Sequence, residues 1–418
     1  MSATTEGAAR AQPSESALLW MLPAQQQPEW SDHPRISHVR DELSRLPGLV
    51  GFQAVLRLKT ILAEVARGER LVIQAGDCAE DFADCGSEAI AAKSELLAGL
   101  AATMSAGSDM PVTPVGRIAG QFAKPRSRPT EHYDGIELPV YRGHMVNSPL
   151  PDPRSRRPDP NRLLLGHRAA RHAAAAIEAS AVAQEEVWTS HEALLLDYEI
   201  PMLRCSSDGR TFLASTHWPW VGNRTRQLDH AHVALLSSVA NPVACKIGPT
   251  TAPSELLELC ERLDPQREPG RLTLISRMGA DLVGDRLPPL VEAVAEAGHP
   301  VVWLCDPMHG NTLSCPTGHK TRFVTAVIRE ANRFQDVLAA RNAVAGGLHL
   351  ETTPEPVTEC VVDSDRLALV PERYTTHCDP RLNPEQALTV ASVWRLAGAP
   401  SHHRRFLTVG TAEASTDR

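Results

Sequence analysis

Aromatic side chains make up only 4% of this sequence. A core built from it must therefore rely mainly on Leu, Val, Ala and Ile. Basic charge is not in excess either, since 42 Lys plus Arg face 50 Asp plus Glu for a formal net charge of -8. That balance argues against a general nucleic-acid binder and requires any anionic ligand to meet locally placed cations. The 9 cysteines are odd in number and lack the dense regular spacing of a disulfide framework, which points to a reducing cytoplasm. The start, MSATTEGAARAQPSES, lacks the basic residues and apolar stretch of a signal peptide. No later segment approaches the roughly 18-residue apolar run of a membrane helix. Export and membrane insertion are therefore not expected.

What is present is ordinary globular composition, with 42% hydrophobic and 22% charged residues over 418 positions. That length suits two average domains or one large α/β barrel with additions. Residues 1–17 are small and polar and read as a disordered leader. Residues 18–69 read as an N-terminal helical extension, because 35–46 and 51–66 repeat apolar residues at helical spacing. From Arg70 onward short apolar runs alternate with longer helical stretches, the pattern of parallel strands joined by crossover helices. The strand runs are 71–75, 112–117, 186–191, 211–216, 243–248, 272–277, 301–306 and 348–352; the third is short and polar. Eight is the number a closed (β/α)8 TIM barrel needs, so the catalytic domain is set at 70–400 and a C-terminal tail at 401–418. The stretch 121–163 shows no such periodicity, and its arginine-rich part, PDPRSRRPDPNR, reads as a solvated surface loop.

Reactive groups of such barrels lie at the C-terminal ends of the strands, and polar clusters follow nearly every run. Two chemical sets emerge. The first holds potential metal ligands: Cys78 in QAGDCAE, His309 in CDPMHGNT, Glu351 in HLE, and Asp379 in the later loop YTTHCDPRLN. Strands one, seven and eight become neighbours when a barrel closes. A thiolate, imidazole and carboxylate set suits a first-row divalent ion better than Mg or Ca. Taken singly, each of the four also has a bland reading as a buried thiol or a satisfied polar group. The second set is cationic: Arg117, Lys124, Arg126, Arg224, Lys246 and Arg277. Any one could be a surface salt-bridge partner, but so many cations at strand ends of an acidic protein favour a phosphate-bearing substrate set.

The blocks GRIAGQFAKPRS, WTSHEALLLDYE, NRTRQLDHAH, NPVACKIGP, GRLTLISRMGA, CDPMHGNT, GGLHLE, VTEC and CDPRLN occur in order. The chain from about Pro28 to Leu396 thereby resembles the type II 3-deoxy-D-arabino-heptulosonate 7-phosphate (DAHP) synthases, which open the shikimate route. The resemblance implies one divalent metal, Mn, Co, Fe or Zn with Mn or Co favoured, on Cys78, His309, Glu351 and Asp379. It implies phosphoenolpyruvate on Arg117, Arg224, Lys246 and Arg277 with a backbone contact at Asn223, and erythrose 4-phosphate facing Lys124, Arg126 and Ser127. Lys124, Arg117 and His309 would carry the chemistry, with Lys124 delivering a hydrogen bond or proton to the aldehyde oxygen. A homo-oligomer, dimer or tetramer, is also implied.

The chain departs from the family in having Asn223 where Glu is common. It also lacks the long insertions that carry aromatic amino-acid inhibitor sites, and so resembles compact members of secondary-metabolite pathways. The same condensation with an amino analogue of the aldose is an alternative, as is an inactive regulatory barrel, although no expected ligand or cation is missing. Cys378, next to a proposed ligand, is expected near Cys78, and the pair could oxidise without metal.

Overall fold

The computed structural model describes residues 9–10, 13–180 and 186–395. At its centre eight parallel strands close into a barrel: β1 (Leu71–Gly76), β2 (Val112–Arg117), β3 (Trp188–Glu192), β4 (Trp218–Val221), β5 (Val243–Ile247), β6 (Leu272–Ser276), β7 (Val302–Cys305) and β8 (Ala345–Glu351). Each strand pairs with the next, and β8 closes on β1 with Glu351 opposite Gly76. This closure brings residue 351 beside the loop that carries Cys78. The (β/α)8 expectation is therefore met.

Scarce as aromatics are, three tryptophans fill the barrel's interior. Trp188, Trp218 and Trp220 pack there with Val72, Val115, Ala244, Ile275, Val302 and Leu304. The helix Phe52–Ala66 adds Leu58, Leu62 and Val65 to the same cluster. Its buried positions recur every three or four residues, so one apolar stripe faces Val72 and Val302 where the strands begin. That end of the barrel is plugged, and the opposite end remains for chemistry.

Three expectations change. The fourth barrel strand is Trp218–Val221, not 211–216. Thr211–Leu213 instead pairs antiparallel with Leu203–Cys205 in a small outer sheet completed by Ala9–Arg10. Pro219 demotes the run WPWV in a sequence reading. In the structure Trp218 and Trp220, two apart, both point inward, and that burial holds the strand in place. The expected leader also contains structure, since the Ala9–Arg10 strand and the helix Pro13–Met21 begin within residues 1–17. Finally, Arg154 and Arg157 of the arginine-rich loop are exposed as expected, but Arg156 is buried. It bonds to Glu131 and to the carbonyls of Leu150 and Pro149, pinning the loop to a hairpin formed by Thr130–Tyr133 and Ile136–Pro139.

The tail assigned to 401–418 lies outside the described residues. Among the described residues no helix is long and apolar enough to cross a membrane.

Candidate active site and metal centre

The loops after β1, β7 and β8 converge as ring closure requires. Donor atoms of Cys78, Glu351 and Asp379 lie within 4.8 Å of one another. His309 joins them through Nε2, 3.1 Å from Glu351 Oε1. Asp379 arrives from a distant loop that Glu359 anchors: its carboxylate accepts the N–H groups of Thr375, Thr376 and Arg381. Arg381 in turn bridges Glu359 to Asp77 beside Cys78.

Lys124 marks the centre of this cluster. Its ammonium lies 2.7 Å from Cys78 Sγ, 3.0 Å from Glu351 Oε1, 3.1 Å from Asp379 Oδ2 and 3.5 Å from His309 Nε2. A single cation thus already sits within reach of all four donors, and a soft and hard donor set of this kind fits a first-row divalent ion. Burial opposes charge on Lys124, yet Cys78, Glu351 and Asp379 hold its proton far more tightly than usual. Burial also works against Glu351, but His309, Lys124 and Arg322 keep its carboxyl well below the ordinary range. The Cys78 thiol is pushed well up by burial, by its hydrogen bond with Cys378 and by Glu351. A thiolate ligand here would need a bound cation to compensate.

Above the cluster lies a cavity of about 310 Å³. Of the expected site residues, all but Cys78 and Glu351 line it; those two lie beneath, fully buried. Arg117 donates to Asp77 O at 3.1 Å, meets His349 Nε2 at 2.7 Å and reaches Glu351 Oε1 at 3.2 Å. Lys246 bonds Asp306 at 2.7 Å, and Arg277 donates to the His309 carbonyl at 2.8 Å. Arg224 donates to Ser127 at 2.5 Å, so it stands between the two expected subsites. Arg126 lies 3.7 Å from Cys378 Sγ, and Asn223 accepts from Arg226 at 3.1 Å. Trp220 forms part of the wall, with Arg117 and Lys246 5.5 Å and 6.0 Å from its ring centre.

Several site residues escape the sequence reading. Glu192, the last residue of β3, lines the cavity with Oε1 buried and unpartnered among the described residues. Burial raises its proton affinity, against the pull of Lys246, Lys124, His309 and Arg117. Gly222 leaves room for this carboxylate where it stands, since a Cβ there would fall 2.2 Å from Glu192 Oε1 and displace it. The third strand run was placed at 186–191, one residue short of Glu192, so strand-end placement passed over it. Lys320 also lines the cavity, 2.7 Å from Asp379 Oδ1, and Arg322 lies 2.8 Å from Glu351 Oε2. Both come from a hairpin strand, Lys320–Arg322, too short to register as a pattern.

Known proteins match along nearly the whole chain. The description of the class-II DAHP synthetase family fits residues 15–181 and 168–394. The chain is 50% identical over 384 residues to a probable phospho-2-dehydro-3-deoxyheptonate aldolase from Pseudomonas fluorescens, covering 90% of this chain and 96% of that protein. It is 39% identical over 436 residues to the phospho-2-dehydro-3-deoxyheptonate aldolase of Streptomyces coelicolor, covering 92% and 97%. The aldolase AroG of Mycolicibacterium smegmatis is likewise 39% identical over 431 residues, covering 88% and 91%. Because this similarity spans the segments that build both the barrel and its cavity, the chain belongs to the class-II DAHP synthetase family.

Proposed function

We propose that this enzyme condenses phosphoenolpyruvate with D-erythrose 4-phosphate and water to give DAHP and phosphate, the first step of the shikimate pathway. The observation that carries the reading is the convergence of Cys78, His309, Glu351 and Asp379 on one ammonium at the floor of a cation-walled cavity. A divalent cation held by those four residues, Mn or Co by preference, supplies Lewis acidity toward an aldehyde oxygen.

The chain's own residues do the rest. Arg117, Arg224, Lys246 and Arg277 hold the phosphate and carboxylate of phosphoenolpyruvate, with the residue 223 backbone, and Arg126 and Ser127 take the aldose phosphate. Holding two reactants in register contributes roughly 7 to 11 kcal/mol in favourable intramolecular cases. The terminal carbon of phosphoenolpyruvate forms the new bond to the aldehyde carbon, and Lys124 gives the new alkoxide a proton. Water adds at the central carbon and gives one proton to Glu192 Oε1, which has no partner among the described residues, and its second proton goes to the departing phosphate. Phosphate then leaves with its bridging oxygen, and the water oxygen remains as the ketone. The family resemblance supports a cytoplasmic homo-oligomer, dimer or tetramer.

The test is a metal-dependent assay with phosphoenolpyruvate and erythrose 4-phosphate, following phosphate release and DAHP formation. No turnover with Mn, Co, Fe or Zn would sink the assignment.

A further inference from the structure

Asp306 is where the two halves of the site touch, and none of the roles above uses it. It follows β7 directly, is fully buried, and its own N–H is fixed on Ser276 O at 2.7 Å. Its Oδ2 lies 2.7 Å from Lys246 Nζ and 2.8 Å from His309 Nδ1. Its Oδ1 lies 3.0 Å from the same Nδ1 and accepts the Met308 N–H at 3.1 Å. An ionised carboxylate only accepts, so His309 Nδ1 carries its hydrogen toward Asp306 and Nε2 is left facing Glu351. One oxygen, Oδ2, is therefore shared between the lysine assigned to phosphoenolpyruvate and the histidine assigned to the metal.

We propose that Asp306 is a positioning residue that couples cation binding at His309 to phosphoenolpyruvate binding at Lys246, so that each ligand tightens the other. The inference rests on the assignment of the two subsites given above. With a cation on Nε2, the imidazole becomes a stronger donor at Nδ1 and draws Oδ2 from Lys246, freeing the ammonium for an anion. In the other direction, an anionic substrate that takes the Lys246 ammonium leaves the whole Asp306 charge on the imidazole. Nε2 then becomes the better ligand. Linkage makes the factor equal in both directions. Arg277 does not transmit this effect, because it holds the backbone carbonyl of His309 rather than its ring. Arg117 touches Glu351 and remains as a separate bridge when Asp306 is changed.

The test is a binding experiment that needs no turnover. Mn(II) is titrated into chelator-stripped protein with and without phosphoenolpyruvate, following free Mn(II) by electron paramagnetic resonance. Phosphoenolpyruvate is titrated by calorimetry with and without Mn(II). The wild-type protein should show a mutual tightening of about fivefold or more, within the usual range of coupling between sites. Asp306→Asn keeps the shape and removes the charge; it should bind both ligands with mutual tightening below about twofold. Lys246→Met removes the competitor for Oδ2 and should bind Mn(II) alone more tightly than wild type, which tests the sharing even if the Asn variant fails to fold. A wild-type factor kept in Asp306→Asn, unchanged or weaker Mn(II) binding in Lys246→Met, or two ligands that bind wild type without mutual effect would each overturn the coupling alone. Failure of phosphoenolpyruvate to bind metal-loaded wild type would overturn the substrate-site assignment and the coupling with it.

Discussion

Lys124 Nζ stands 2.7 Å from Cys78 Sγ, although the two belong to loops after different barrel strands. The contact puts a proton donor within the group of proposed metal ligands, where an aldehyde oxygen would be polarised. Lys124→Met should therefore lower kcat by about 10²- to 10⁴-fold, the usual range for lost acid–base assistance. Steady-state kinetics at saturating metal check this, and a near-normal kcat would remove Lys124 from the chemistry.

Glu192→Gln keeps the side chain's size and removes its charge. We expect a kcat loss of about 10²-fold or more with phosphoenolpyruvate affinity kept within a few-fold. A rate close to wild type would show that water loses its proton elsewhere.

Removal of metal by a chelator should abolish turnover, and Mn(II) or Co(II) should restore it. His309→Ala should fold normally by circular dichroism yet bind less metal by elemental analysis. Cys378 and Cys78 share a hydrogen bond, as the sequence led us to expect of neighbours. Oxidised metal-free protein should thus lose two free thiols, and an unchanged thiol count would exclude the pairing.

His232, to which no catalytic role is assigned, gives a pH dependence of stability. Its ring is fully buried with Nε2 2.9 Å from Leu194 O. Burial pushes its proton affinity down to about 4, against the opposing hydrogen bond to Leu194. The folded value lies below the unfolded one of about 6.5, so the unfolded chain takes up the proton first as pH falls. Stability is complete above about pH 6.5 and declines toward pH 4, by about 3 kcal/mol from this residue. Melting midpoints of His232→Gln should fall less steeply across that window than those of wild type. Parallel slopes would contradict the assignment.

Trp218 is fully buried inside the barrel, and its Nε1 has no partner among the described residues. Trp218→Ala should cost about 3 to 5 kcal/mol through the cavity it leaves. Trp218→Phe leaves no hydrogen bond unmade and should cost clearly less. Denaturant midpoints compare the two, and equal losses would show that the cavity volume is not what sets the cost.

Most of the barrel is legible in local composition. The strands rich in Val, Leu and Ile, such as Leu71–Gly76 and Leu272–Ser276, are short buried runs whose composition declares them. The residues just beyond them, His309 and Arg277 among others, were legible as chemistry because barrels present reactive groups there. The family blocks suggested the roles proposed for Cys78, Asp379 and the cations. Tertiary structure alone decided the rest. Trp218–Val221 became a barrel strand because two indoles bury inward on either side of Pro219, a gain that no local propensity records. The sharing of Asp306 between Lys246 and His309 depends on contacts 60 and 3 residues apart in sequence, which only the closed barrel makes simultaneous. Local periodicity specifies which residues are buried and where strands end. Which charged groups meet across the barrel mouth is set by ring closure, and that is a property of the whole chain.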